Sequence, residues 1–305
     1  VNGIINVLKP PGMTSHDVVN FIRRTLKIKK AGHTGTLDPG AAGVLVVCLD
    51  RSTRIARFIT ECDKDYRAEI TFGVATSTGD SFGEVTEEHD ASLLTEEAVK
   101  ASLAAFTGEI SQVPPMVSAI KWRGKKLYEL ARAGLDVERR ARTVTIQNIE
   151  YIGGAGWGGP KPVVLVHLTC SKGTYVRSLC ADIGNYLGYG AHMSFLVRTR
   201  VGAFSISDSC TLEDIRAVKD ISDIIIPTEK ALSGLPPVRV KNGAVPAVSS
   251  GSKLYLPGVA ELPDGLAEGV LVRLQGPEGL LAVARTRLDM EDTRRFVFEP
   301  VCVLA

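Results

Sequence analysis

Residues 31–49 read Ala31-Gly-His-Thr-Gly-Thr-Leu-Asp-Pro-Gly-Ala-Ala-Gly-Val-Leu-Val-Val-Cys-Leu49. The stretch divides into two parts. Residues 31–42 hold three glycines and a proline in twelve positions, which predicts irregular backbone. Gly43–Leu49 is an unbroken apolar run bounded by turn residues, which predicts a buried strand. A glycine-rich loop held by a buried strand is a good platform for a reactive side chain, because glycines let a ligand approach the backbone closely. Asp38 is the side chain so placed. Taken alone, Asp38-Pro39 is an ordinary turn opening. His33 and two hydroxyl-bearing neighbours, Thr34 and Thr36, in the same loop make a site a serious alternative.

Working outward, residues 4–8 predict a short strand. Thr14 or Ser15 predicts the cap of a helix whose apolar stripe is Val18, Ile22 and Leu26. A further helix is expected over about 52–60. Residues 65–73 alternate, with Tyr66, Ala68, Ile70 and Phe72 on one face and Arg67, Glu69 and Thr71 on the other. Thr95 opens an amphipathic helix to about Phe106. Strands are expected over 143–152 and 162–170, joined by the glycine-rich loop 153–159. That loop has no following Gly-Lys-Ser/Thr and is not a phosphate cradle. A helix is expected from Thr174 to about Leu187, with Val176, Cys180, Ile183 and Leu187 inward.

Strands and helices mix without regular βαβ alternation, which favours an α+β fold. Ser233-Gly-Leu-Pro-Pro237 marks a boundary, giving domains over 1–234 and 235–305. Beyond it, Leu254-Tyr-Leu, Gly269-Val-Leu-Val-Arg-Leu, Gly279-Leu-Leu-Ala-Val-Ala and Arg295-Phe-Val-Phe alternate with turns, as in a small all-β domain or barrel. A chain of 305 residues suits two such domains.

Composition narrows the function. Hydrophobic residues make up 45% and charged residues 23%, as in ordinary globular proteins. No apolar run reaches the ~18–20 residues that span a bilayer. No signal-peptide pattern is legible, so a cytoplasmic location is expected. The six cysteines form no C-x-x-C pair and lack zinc-ligand spacing, so no metal site is expected. His16, His89, His167 and His192 likewise lack ligand spacing. The net charge is only +2. The basic residues nevertheless cluster at Arg23/Arg24/Lys27/Lys29/Lys30, Lys121/Arg123/Lys125/Lys126, Arg139/Arg140/Arg142 and Arg198/Arg200. Each cluster alone is a solvated face. The four together predict a surface that follows a phosphate backbone.

Two more side chains qualify as candidates. Tyr66 is a core tyrosine or a platform on which an unstacked base rests. Arg177 sits in the first turn of a helix, where the dipole disfavours a cation. Turned inward there, it needs an anion. Asp38 would suit, and such a pair would lower the carboxylate's pKa.

Several ordered motifs carry a family resemblance. They are Lys9-Pro-Pro-Gly-Met-Thr-Ser15, Gly32-His-Thr-Gly-Thr-Leu-Asp-Pro39 with Gly40-Ala-Ala-Gly43, and Asp63-Lys-Asp-Tyr-Arg67. Pro114-Pro-Met-Val-Ser-Ala119 with Lys125-Lys-Leu-Tyr128, Gly173-Thr-Tyr-Val-Arg-Ser-Leu179 and Phe195-Leu-Val-Arg198 follow. In this order they resemble the bacterial TruB family of tRNA pseudouridine synthases, over nearly the whole chain. The resemblance implies a pseudouridine synthase fold, with a mixed, largely antiparallel sheet flanked by helices and a small barrel-like C-terminal PUA domain. It implies isomerisation of uridine 55 in the tRNA T loop by base flipping, with no metal or organic cofactor and with a further role in tRNA folding. Asp38 would be the nucleophile. Tyr66 would stack on the base and share in proton transfer, Arg177 would pair with Asp38, and Leu196 would line the pocket. His33 would fill the space left by the flipped nucleotide, and Tyr175 would join the substrate-binding set.

The implied partner is the T stem-loop of tRNA, bound by a monomer without a membrane, an obligatory protein partner or a guide RNA. Two other readings stay open. One is an RNA-binding protein that helps tRNA fold. The other is a guide-RNA-dependent synthase like the catalytic subunit of H/ACA particles; His33-Thr-Gly35 and the lack of a long extension favour the bacterial type.

Overall fold

The computed structural model describes residues 1–118, 120–289 and 296–304, apart from the side chains of Lys121, Lys126 and Arg132. Ala119 and Arg295, which entered the sequence motifs, and the Lys121 and Lys126 side chains of the second basic cluster therefore lie outside the described residues.

The larger sheet has nine strands: β1 (Gly3–Lys9), β2 (Ala31–His33), β3 (Ala42–Leu49), β4 (Lys64–Phe72), β5 (Gly108–Gln112), β6 (Arg142–Ala155), β7 (Val163–Cys170), β8 (Ala191–Val201) and β9 (Phe204–Ser205). Its order is β1-β3-β8-β4-β7-β6-β5, with β2 on the same β3 and β9 on β8. Pairing is antiparallel except between β3 and β8. The helices that matter for the site are α1 (Ser15–Thr25), α2 (Ala56–Thr60), α3 (Glu96–Leu103) and α4 (Val176–Tyr186).

β3 is an inner strand, flanked by β1, β2 and β8, and buried on both faces, which is why its sequence is continuously apolar rather than alternating. Leu45, Val47 and Leu49 pack with Val18, Val19 and Ile22 of α1. Val44, Val46 and Cys48 point the other way, into a cluster that includes Ile55, Ile59 and Val283. On β4, Tyr66, Ala68, Ile70 and Phe72 join Val176, Leu179, Cys180 and Ile183 of α4 in the largest core. The alternation read along 65–73 is thus the partition between core and periphery.

Local structure departs from the sequence reading at several places. Residues 31–42 are not wholly irregular: Ala31, Gly32 and His33 pair with Leu49, Cys48 and Val47. A ladder is made of backbone groups, so an available edge of β3 overrides the glycine content. The expected helix over 52–60 begins as a 3-10 turn, Asp50–Ile55, and is α-helical only over α2. The helix from Thr95 likewise ends at Leu103 and tightens into 3-10 geometry to Phe106, while Thr95 caps it as expected. α4 begins at Val176, because the Thr174 hydroxyl donates to Ser171 O instead of capping. β6 continues to Ala155, through two glycines of the expected loop.

The second sheet has six strands: β10 (Pro237–Val240), β11 (Leu254–Tyr255), β12 (Val259–Glu261), β13 (Leu271–Gly276), β14 (Gly279–Leu288) and β15 (Phe296–Val303). Its order is β11-β15-β14-β13-β10-β12, a mixed barrel-like sheet around Val238, Val272, Leu274, Ala282 and Phe298. The Arg54 guanidinium donates to Val303 O at 2.8 Å and Arg57 donates to Val301 O, which ties β15 to α2 and to the turn before it. Among the described residues no helix is long and apolar enough to cross a membrane.

Candidate active site

The loop from Thr34 to Ala41 is irregular, yet almost every carbonyl in it has a donor. Thr34 O accepts from the Thr60 hydroxyl at 2.8 Å. Gly35 O and Thr36 O accept from the Arg198 guanidinium at 3.0 and 3.3 Å. Leu37 O accepts from the Ser15 hydroxyl, whose oxygen in turn accepts from Leu37 N. Asp38 O accepts from Ala41 N, Pro39 O from Gly12 N, and both Pro39 O and Ala41 O from the Lys9 ammonium. Buried backbone polar groups need partners, and here side chains from several other segments supply most of them. The loop that carries Asp38 is therefore a braced structure.

Lys9 and Arg198 are the two principal braces, and both are buried. Arg198 corrects the sequence reading. The clustering places it on a phosphate-tracking surface, but it lies inside, with Nε donating to Val44 O at 2.8 Å as well as to the loop. Its neighbour Arg200 is held by both oxygens of Asp65. The physical reason is the register: Arg198 lies opposite Gly43 on β3 and Tyr66 on β4, in the middle of the sheet. Gly43 has a φ of +112°, and a Cβ there would stand 2.1 Å from Arg198 O. The motif glycine is what lets the two strands meet. The other three clusters retain exposed basic side chains, including Arg23, Arg24, Lys27, Lys29, Lys30, Arg123, Lys125, Arg140 and Arg142.

Arg177 turns inward as the helix argument required. It is only 4% exposed, and its Nε lies 2.9 Å from Asp38 Oδ2. Nη1 lies 3.5 Å from Asp80 Oδ2 and donates to Thr78 O, while Nη2 donates to Val117 O at 2.7 Å. Asp80 is fixed by the Thr78 hydroxyl and by Phe82 N. Arg177 thus stands between two carboxylates. The net effect on Asp38 is opposite to the expectation from the pair alone. Burial pushes its pKa above the ordinary carboxylate range, against the pull of Arg177; Asp80 adds to the rise and Lys9 opposes it.

Two cavities, of about 280 and 260 Å³, lie on either side of this pair, and Asp38, Arg177 and Leu196 line both. The first also has Phe82, Val117, Met193 and Phe195 in its wall, and is largely apolar. The second is lined by Lys64, Tyr66, Lys172, Tyr175 and Arg198 among others, and is more polar. Tyr66 is buried; desolvation pushes its phenol pKa up, opposed by Arg198. Tyr175 caps α4, and its N–H and carbonyl are bracketed by the amide of Gln112.

Five of the six sequence candidates, Asp38, Tyr66, Tyr175, Arg177 and Leu196, thus meet around one pair of cavities. His33 does not line either of them; it sits on β2 opposite Val47. Sequence reasoning missed Lys9, Asp80, Lys64 and the true place of Arg198. Lys9 left a signal, since it shares the face of Ile5 and Val7 on a buried strand. Asp80 left none beyond a turn-like Ser77-Thr-Gly-Asp80.

Comparison with known proteins supplies the family. Residues 23–176 match the model of the TruB family pseudouridylate synthase N-terminal domain, 177–233 that of the tRNA pseudouridylate synthase B C-terminal domain, and 236–297 that of the PUA domain. The chain is 62% identical to tRNA pseudouridine synthase B of Pelotomaculum thermopropionicum, over all of this chain and 98% of the relative. It is 46% identical to the protein of the same name from Moorella thermoacetica, over 100% and 99% of the two chains. Among solved structures, a chain of a Cbf5-Nop10-Gar1 complex aligns with 33% identity and a TM-score of 0.77, covering 99% of this chain and 85% of that one. An archaeal box H/ACA Nop10-Cbf5 complex aligns with 30% identity and a TM-score of 0.75, covering 99% and 86%. The chain belongs to the TruB family of pseudouridylate synthases, and with it to the isomerases.

Proposed function

We propose that this protein isomerises uridine to pseudouridine in tRNA, at position 55 of the T loop. The observation that carries the reading is the Asp38–Arg177 pair, held between two cavities on a braced loop. The reaction exchanges an N-glycosidic bond for a C-glycosidic one at the same ribose. The base must leave its stack, which costs a few kcal/mol, and enter a protein site. The second cavity suits it, with Tyr66 as the stacking face and Leu196 as an apolar wall. Asp38 serves as the carboxylate nucleophile. Arg177 orients Asp38 and favours its charged form. Tyr175 contributes to the rim of the same cavity. His33, away from both cavities, acts on the RNA strand that the base has left.

The exposed basic residues at 23–30, 123–125 and 140–142 follow the phosphates of the T arm, with the C-terminal PUA unit (235–305) extending the contact. The protein works in the cytoplasm as a monomer, without guide RNA or protein partner. Full-length identity of 62% to a bacterial tRNA pseudouridine synthase B, against 33% to a chain of an H/ACA-type complex, favours this over the guide-dependent reading.

Pseudouridine mapping in a T-stem-loop transcript treated with the purified protein tests the proposal. The parent protein is expected to modify position 55 without additions, and Asp38→Asn is expected to bind the transcript but leave it unmodified. Modification by Asp38→Asn, or none by the parent, sinks the reading. The same exposed basic surface also supports a second role, assistance to tRNA folding. Complementation of a strain lacking the modification by Asp38→Asn separates the two, since full recovery of growth assigns the benefit to binding.

A further inference from the structure

Lys64 and Arg198 are cations in the wall of the second cavity that the chemistry just described does not use. Lys64 is two residues before Tyr66 on β4, on the same buried face, and is 7% exposed. Its ammonium donates to Thr60 O at 3.0 Å and to Cys62 O at 2.6 Å. An ammonium has three donors, so these bonds leave one N–H for the cavity. Arg198 is 2% exposed, and its charge is spread over the Gly35, Thr36 and Val44 carbonyls. The two meet at Gly35: a Cβ there would lie 3.6 Å from Arg198 Nη1 and 3.9 Å from Lys64 Cε. Among the described residues neither cation forms an ion pair; the nearby Asp65 carboxylate is engaged by Arg200.

Burying two unneutralised cations side by side is costly, and carbonyl dipoles repay only part of it. Burial accordingly lowers the pKa of Lys64, and the charge of Arg198 lowers it further. Such a wall is pre-organised for an anion. Asp38 is already paired with Arg177, so a visiting anion is what it lacks.

The isomerisation supplies one. When C1′–N1 breaks, its electron pair leaves with the base, which becomes a uracil anion with charge spread from N1 onto O2 and O4. The Asp38 carboxylate either forms a bond to C1′ as the base departs or takes the C2′ proton to leave a glycal. In both cases the detached base carries one negative charge until its C5 bonds to C1′, when the electron pair returns to Asp38 as the ester bond breaks or as Asp38 gives its proton back to C2′. C5 then loses its proton to solvent while N1 takes one up, which leaves neutral pseudouridine. We propose that Lys64, backed by the positive field of Arg198, stabilises this detached base anion, making Lys64 a further catalytic residue. The inference rests on the proposed function above. Lys64 holds the anion by a charge-assisted hydrogen bond to a carbonyl oxygen of the base, in a site where water is scarce and charge is strongly felt.

The test compares single-turnover cleavage of the N-glycosidic bond in T-stem-loops carrying uridine or 5-fluorouridine at the target position. The fluorinated base leaves as a weaker base and needs less stabilisation. Lys64→Met is expected to slow the uridine reaction about 100-fold, in line with loss of one preorganised donor. It is expected to slow the 5-fluorouridine reaction at least tenfold less. Lys64→Arg is expected to recover part of the uridine rate. RNA affinity and the thermal unfolding midpoint, measured beside these rates, confirm that each variant is folded and binds. Equal slowing of both substrates, or no slowing, overturns the proposal, because a merely structural lysine is blind to the leaving group. A parent protein inactive on the uridine stem-loop refutes the underlying reading instead, and that result is visible before any variant is made.

Discussion

Arg177 Nε lies 2.9 Å from Asp38 Oδ2, while Nη1 of the same guanidinium lies 3.5 Å from Asp80 Oδ2. One buried arginine thus serves two carboxylates on different loops. Asp80 is the more buried of the two, 13% exposed against 38% for Asp38, and is itself held by Thr78 and Phe82. Asp80→Asn keeps the shape but removes the charge that steadies Arg177. A charge-assisted bond contributes about 1.5–3 kcal/mol, so a single-turnover rate lower by roughly 10- to 100-fold is expected. The apparent Kd for tRNA should stay within about threefold of the parent's. A rate unchanged in Asp80→Asn would show that Arg177 needs no second anchor.

The ionisation of Asp38 gives a pH test. Burial raises its pKa and Arg177 is the largest opposing influence. The nucleophile must be charged, so the rate should fall toward acid, with an inflection above the ordinary carboxylate range. In Arg177→Met the downward pull is gone and the inflection should move to higher pH. Single-turnover rates across pH, in parent and variant, decide this; an inflection that moves down in Arg177→Met contradicts the assigned sign.

Lys9 makes a stability prediction. Burial lowers its pKa from 10.5 to about 8, with Asp38 opposing. Between these values the unfolded chain binds more protons at this position than the folded one, so its contribution makes stability rise with pH. The penalty is fully present below pH 8 and vanishes above the unfolded value. Urea unfolding at pH 8 and 10 should show a positive slope that is smaller in Lys9→Met. Lys9→Met should also lose activity, because Ala41 O loses the Lys9 donor and Pro39 O keeps only Gly12 N.

Gly43 is expected to tolerate no side chain. Its φ of +112° and the 2.1 Å approach of a Cβ to Arg198 O combine backbone strain with a backbone clash. Gly43→Ala should cost more than about 2 kcal/mol in chemical denaturation, and should impair catalysis by shifting the Asp38 loop. A variant of parental stability would mean that β3 and β8 can separate without harm.

Salt dependence distinguishes surface arginines from buried ones. Replacing Arg140 or Arg142, both exposed, by Ala should weaken tRNA binding and reduce the slope of log K against log salt by about 1 for each phosphate no longer neutralised. Arg198→Gln should leave that slope unchanged and lower stability instead, since Arg198 is buried against backbone.

The sequence by itself determined the elements whose cause is local or periodic. The Thr14 cap and stripe of α1, the continuous apolar run of β3 and the alternation of β4 were all legible, because each records which face is removed from water. It also placed Arg177 in a helix's first turn, where an inward cation demands an anion. The sequence already pointed to Asp38 as its partner; only the tertiary structure showed that Asp80 shares the guanidinium, since that carboxylate comes from a loop far from both in the chain. The same holds for Arg198. Its sequence neighbourhood is that of a surface residue, and only the pairing of β8 with β3 and β4 puts it under the Asp38 loop. Burial of a charge depends on what covers it, and that covering is supplied by strands more than a hundred residues away in sequence.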